Sequence, residues 1–161
     1  MRLRPPAQIR ARVPQGRVLG WAVSGSSSII ATDRALLLPE GSELAQIPWD
    51  LVLRVTWEMN TAEVTYQLDA GERPETVRVS VVLDEGDLPA VVQERVNASI
   101  YIQHHARLEG DLGARFVARR APGSVELRWS VVFDSGLDSR DPDLRARADV
   151  ALANLRSVLG I

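Results

Sequence analysis

Leu51-Val52-Leu53-Arg54-Val55-Thr56-Trp57-Glu58 is the stretch on which the fold class turns. Leu51, Leu53, Val55 and Trp57 alternate with Val52, Arg54, Thr56 and Glu58. A period of two puts the first set on one face of a half-buried strand. Downstream, Met59-Asn60-Thr61 turns the chain into Glu63–Leu68, where Val64, Tyr66 and Leu68 repeat the alternation. Gly71 to Pro74 forms a loop, and Thr76–Leu83 follows with Val77, Val79 and Val81 on one side. Upstream, Glu43–Ile47 is separated from the opening stretch by Pro48, which lacks the N–H a central ladder needs and so marks an edge or a bend. Ile29–Ala31 and Ala35–Leu38 flank the tight turn Thr32-Asp33-Arg34, and Val18–Val23 ends in Ser24-Gly25-Ser26-Ser27-Ser28. Short strands broken by turn residues at this spacing are an all-β signal.

After the seventh strand the period changes. Asp84-Glu85-Gly86-Asp87 supplies helix-start chemistry, with Asp87 as cap and Pro89 in the first turn. Leu88, Val91, Val92 and Val96 then recur at helical spacing among Gln93, Glu94, Arg95 and Asn97, an amphipathic helix whose stripe packs on a sheet. Ile100 and Ile102 alternate with Tyr101 and Gln103 in a strand leaving the helix. Gly110 and Gly113 bracket a turn, and Ala114–Arg120 with Val125–Phe133 make a hairpin around Ala121-Pro122-Gly123-Ser124. Asp141, Pro142 and Asp143 open a final helix with the stripe Leu144, Ala148, Leu152, Leu155 and Leu159, and Gly160 closes it. The expected organisation is a basic, proline-bearing arm over 1–15, a sheet domain over 16–99, and a β-β-β-α element over 100–161 packed on it.

A chain of 161 residues buries roughly two-thirds of the surface it exposes when unfolded, enough to fold without a staple. It contains no cysteine, which removes disulfides, thiolate nucleophiles and zinc ribbons together. Arg2, Arg4, Arg10 and Arg12, interleaved with Pro5, Pro6 and Pro14, do not read as a signal peptide. The longest apolar runs, such as Ala35–Pro39, fall far below the ~20 residues of a membrane span. A cytoplasmic, non-membrane-spanning protein is therefore expected. The net charge of −2 gives no global pull toward nucleic acid, yet all 19 cationic side chains are arginine. A GC-rich coding sequence accounts for that, and bidentate anion contacts are the alternative.

Seven antiparallel strands closed by an amphipathic helix is the order of the pleckstrin-homology-like (PH-like) barrel. ATDRALLL, Ala31 to Leu38, resembles a strand opening of bacterial PH-like and GRAM-like domains. AQIPWDLV, Ala45 to Val52, resembles their step into the next strand. With GRVLGWAV, IPWD, ERVNASI, ARRAPG and DSGLDSRDPD, the chain from about Gly16 onward resembles an uncharacterised actinobacterial protein family. The resemblance implies an α+β protein: a PH-like seven-stranded antiparallel barrel capped by a helix, then a hairpin element and a C-terminal helix. It implies no activity, since fold does not dictate function.

The side chains that carry chemistry give near-matches. His104 and His105 are the only histidines, and as strand neighbours they point to opposite faces and cannot chelate one ion. Asp134, Asp138, Asp141 and Asp143 have the wrong spacing for a calcium loop. Gly25-Ser26-Ser27-Ser28 lacks the lysine of a P-loop and the elbow of a serine hydrolase, and as the first PH-like loop it carries no basic residue for a phosphoinositide. Asp84 and Glu85 sit at a helix entry, where capping explains them. No nucleophile–base–orienter set can be assembled, so no catalytic residue, metal or cofactor is expected. The reading that remains is a non-catalytic protein-interaction or regulatory adaptor with an unknown protein partner, its surface near Pro48 and around Trp49, Arg54 and Trp57. The alternative is an anionic ligand, nucleic acid or acidic lipid, held by Arg107, Arg115, Arg119, Arg120 and Arg128 beside Trp129.

Overall fold

A computed structural model describes residues 4–67, 74–83 and 87–161. It is an α+β protein with three antiparallel sheets and a C-terminal helix. The chain divides into two compact units, one of Met1–Ser99 with Arg120–Glu126, the other of Ile100–Arg119 with Leu127–Ile161. Leu68, the Gly71-to-Pro74 loop as far as residue 73, and the Asp84-Glu85-Gly86 part of the helix start lie outside the described residues.

The first unit opens with a four-residue helical turn, α1 (Ala7–Arg10). Seven strands follow: β1 (Val18–Ser24), β2 (Ser27–Thr32), β3 (Ala35–Glu40), β4 (Glu43–Pro48), β5 (Val52–Glu58), β6 (Thr61–Tyr66) and β7 (Glu75–Ser80). They do not run as one closed barrel. Among the described residues they form a four-stranded sheet in the order β1-β2-β3-β4 and a three-stranded sheet in the order β5-β6-β7. One isolated antiparallel bridge, Val23 to Val82, links β1 to the chain leaving β7. A 3-10 turn, Trp49–Leu51, carries the chain from β4 to β5. Helix α2 (Leu88–Ser99) packs against β1, β2, β5 and that turn. Its Leu88, Val92 and Val96 enter a core with Ala22, Ile29, Leu36, Trp49, Val52 and Val64. Each such side chain, fully buried, contributes about 1.5–3 kcal/mol.

The strand on which the reading began departs from strict alternation. Val52 pairs with Tyr66 but Arg54 pairs with Thr65, so β5 carries one extra residue at this point. The bulge inverts the faces upstream of it. Val52, expected outside, is fully buried, whereas Leu53, expected inside, is only half-buried. Leu51 belongs to the 3-10 turn.

The N-terminal arm is not simply solvated. Ile9 is 3% exposed and joins Trp21, Ile30, Ala35 and Leu37, with Val13 and Val18 beside them, in a second cluster. These strand residues belong to the face of the β1–β4 sheet opposite the main core, because Ile30 pairs with Leu37 while Ala31 pairs with Leu36. Arg12 Nη1 fixes the arm further by donating to Ser28 Oγ at 2.8 Å.

The second unit has β8 (Ile100–Glu109), β9 (Leu112–Arg119) and β10 (Arg128–Phe133) in the order β10-β9-β8, and α3 (Pro142–Leu159). The last strand begins at Arg128 rather than Val125, and Val125 is exposed. Helix α3 starts as its sequence dictates: Asp141 accepts from the Asp143 N–H at 2.9 Å, and Pro142 takes the first helical position. It ends at Gly160, whose φ of 72° is left-handed. Leu144 and Ala148 are buried. Ala148 packs with Ala114 and Phe116, and Leu152 and Leu155 lie alongside; Leu159, the last of the predicted stripe, is exposed. Gly113 has no tolerated replacement, because a Cβ there would overlap the Ala106 carbonyl across the ladder.

Candidate functional site

The three side chains expected to form a partner surface are not brought together. Trp49 is 1% exposed, and its indole N–H donates to the Thr32 carbonyl at 2.9 Å. Thr32 is itself committed: its hydroxyl donates to the Ala35 carbonyl and accepts from the Arg34 and Ala35 N–H groups. This knot explains the Thr-Asp-Arg turn and removes Trp49 from any surface. Trp57 packs half-buried against the main core, while Arg54 is exposed. Three positions apart on one strand, they lie on opposite faces.

The arginines of the second unit behave differently. Arg119 pairs with Arg128, Arg115 with both His105 and Val132, and Arg107 with Gly113. These registers put Arg107, Arg115, Arg119 and Arg128 on one face of the sheet, the face opposite Ala114 and Phe116. Arg120 follows the strand end, groups with the first unit, and its N–H donates to the Ser99 carbonyl. The face is mixed rather than a basic groove. Arg119 is 8% exposed and Val117 is buried, and Arg107 lies 3.6 Å from Asp111.

Asp134, which no local spacing links to β8, joins His105 there. Its Oδ2 accepts from His105 Nε2 at 2.8 Å and from the Gly113 N–H at 2.8 Å. Because a carboxylate only accepts, Nε2 is the protonated ring nitrogen. The histidine hydrogen bond first, then the Gly113 N–H, hold the Asp134 carboxyl below its ordinary value. No local motif joins residues 105 and 134. Only the β8-β9-β10 register does, through Arg115 and Val132. Asp138 and Asp141 accept backbone N–H groups of Arg140 and Asp143, as turn and cap. Among the described residues no group of acidic or histidine side chains has the arrangement of a metal site.

One concave feature joins strand and helix in this unit. A groove of ≈ 450 Å³ is lined by Arg107 and Leu108 of β8 and by Ala146, Arg147, Val150 and Ala151 of α3. Arg107 and Leu108 point to opposite faces of their strand, so a groove touching both runs along the strand's edge. That edge is open within the sheet: β8 pairs with β9 alone among the described strands. The floor is apolar, from Leu108, Val150 and Ala151, and Val150 is 61% exposed. Arg107 and Arg147 line it as well. Arg147 Nη1 also donates to the Leu108 carbonyl at 3.2 Å, capping the edge where the register shifts. No family model, no curated protein and no solved structure matches this chain.

Proposed function

We propose that the protein is a non-catalytic, cytoplasmic protein-interaction module that receives an extended, acidic peptide segment along the outer edge of β8, beside the Leu108 carbonyl that Arg147 already occupies. The observation that carries this reading is the groove between β8 and α3, lined by apolar side chains together with two arginines. Main-chain pairing to an edge strand supplies affinity, and alternate side chains supply specificity. A β-strand peptide would lay its apolar side chains toward Leu108, Val150 and Ala151 and its carboxylates toward Arg107 and Arg147. The PH-like reading of the first unit is part of this proposal. It is supported by seven sequential strands split four and three, a helix packed on both sheets, and the Val23–Val82 bridge at one corner.

Binding of nucleic acid or acidic lipid through Arg107, Arg115, Arg119, Arg120 and Arg128 is the weaker reading. Arg119 is buried, and Asp111 and Asp134 place negative charge on the same side.

A fluorescein-labelled peptide of alternating valine and glutamate, titrated with the full chain, tests the proposal by fluorescence polarisation. The expected result is saturable binding that shifts amide resonances along β8. It should weaken at least about tenfold in an Arg147→Glu, Val150→Asp variant. The reading is wrong if a valine–lysine peptide binds equally well, or if neither peptide saturates.

A further inference from the structure

The N-terminal arm does more than cover a sheet face. Where it runs back to β1 it borders an open pocket of ≈ 670 Å³, lined by Arg4, Arg10 and Arg17 together with Val13, Val18 and Leu19. The wall is built rather than trailing, because Ile9 is buried beneath it and Arg12 is bonded to Ser28. The junction is fixed as well. Gly16 turns at a φ of +92°, and the Arg17 backbone N–H donates to Asp33 Oδ1 at 2.6 Å. A Cβ on Gly16 would run into that carboxylate oxygen, so glycine is needed for both reasons.

Three arginines therefore line one pocket, and among the described residues none of the three has an ion-pair partner. Asp33, whose Oδ1 accepts the Arg17 backbone N–H, supplies one negative charge beside three positive ones, so the pocket keeps a cationic excess. Like charges gathered in excess of their counter-charge repel, and a bound anion reduces that repulsion. Arginine presents a planar fork of donors suited to carboxylate or phosphate oxygens. A single carboxylate carries one negative charge and engages one fork well. A phosphate monoester carries about −1.5 to −2 at neutral pH and offers three acceptor oxygens, matching three forks. The cavity lies in the size range of small-molecule sites, on the order of 300–1,000 Å³, and far exceeds a bare phosphate. Its apolar lining of Val13, Val18 and Leu19 gives an organic body somewhere to rest.

We propose that the cavity between the N-terminal arm and β1 is a binding site for an organic phosphate monoester, gripped by Arg4, Arg10 and Arg17. The phosphate arrives either on a soluble small molecule or on a lipid headgroup, and the chemistry is shared. This site is independent of the β8 groove.

The full chain is titrated with phenyl phosphate by calorimetry and thermal shift, and co-sedimented with equimolar phosphatidylcholine–phosphatidic acid vesicles against pure phosphatidylcholine. Phenyl phosphate binding with a raised Tm beyond that of sodium chloride at equal ionic strength assigns the soluble source. Sedimentation with the acidic vesicles alone, without a phenyl phosphate response, assigns the headgroup. In either case an Arg10→Gln, Arg17→Gln variant should lose at least about tenfold in affinity. Arg115→Gln, in the other unit, should bind as the wild type does. Both substituted side chains are exposed, and an unchanged far-UV spectrum verifies that the variant folds. The proposal is overturned if neither probe binds, or if the double variant binds either probe as tightly as the wild type.

Discussion

The β1–β4 sheet and the β8–β10 sheet are both antiparallel but use their two faces differently. In β2 and β3 consecutive residues are all buried: Ile29, Ile30 and Ala31 on one strand, Leu36, Leu37 and Leu38 on the other. The odd and even members feed separate clusters, one under α2 and one under the arm. In β9 only part of the second face is open: Ala114 and Phe116 are buried with Ala148 of α3 and Arg115 between them is exposed, but Val117 and Arg119 on the face of Arg115 are buried. A sheet with both faces covered reads as an unbroken apolar run, and a sheet with one polar face reads as alternation. The lesson concerns function. In the first sheet β2 and β3 are covered on both faces, whereas the second is exposed around Arg115 on the face away from Phe116.

Substitutions at neighbouring positions test this contrast. Leu36→Ala and Leu37→Ala remove adjacent side chains from opposite faces, and each should cost about 2–5 kcal/mol in urea unfolding. On β9, Phe116→Ala should cost about 3–5 kcal/mol. Arg115→Ala should stay within about 0.5 kcal/mol. If Leu37→Ala proves as mild as Arg115→Ala, the second face of the first sheet is not a core and the contrast fails.

An intermediate effect is expected at the arm. Ile9→Ala withdraws the one side chain of α1 that is buried, and should cost about 1.5–3 kcal/mol. Trp21 shares that cluster, so its fluorescence should shift to the red as water reaches it. Unchanged stability together with unchanged emission would mean that the arm does not cover the sheet.

Much of this architecture is legible in the residues themselves. The strands of the first unit, the helix at Leu88 and the capped helix at Pro142 follow from periodicity, prolines and caps, all local signals. The features that were not legible depend on partners distant in sequence. The bulge that exchanges Val52 and Leu53 is set by pairing with Tyr66 and Thr65. The burial of Trp49 depends on the Thr32 carbonyl, 17 residues away. The docking of Ile9 was hidden because a short apolar side chain among prolines and arginines has no period to reveal it. The arginines of the second unit show both sides of this. Alternation separates Arg119 from Arg120 by itself, but only register unites Arg107, Arg115, Arg119 and Arg128 across three strands.

The smallest effect expected is the pH response of the second sheet's polar face. His105, on β8, meets Asp134, which leaves β10, across the central strand, and Gly113 of that strand adds its N–H to the same carboxylate oxygen. The carboxyl is held below its ordinary value of 3.8. A carboxylate with a lowered folded-state pKa is favoured by folding only when ionised. Its contribution is therefore complete above the ordinary value and is lost as pH falls from about 3.8 through the lowered folded-state pKa. Asp134→Asn should remove that acid-limb contribution and leave the other acid titrations in place. Stability measured against pH should then diverge from the wild type above this window and approach it below. A carboxyl carbon-13 titration of Asp134 reads the same quantity directly, and a midpoint at or above 3.8 would show that the His105 hydrogen bond does not favour the ionised form. His105→Ala supplies the matching control: with the larger of the two hydrogen bonds gone, the midpoint should rise toward the ordinary value but stop short of it, because the Gly113 N–H still donates.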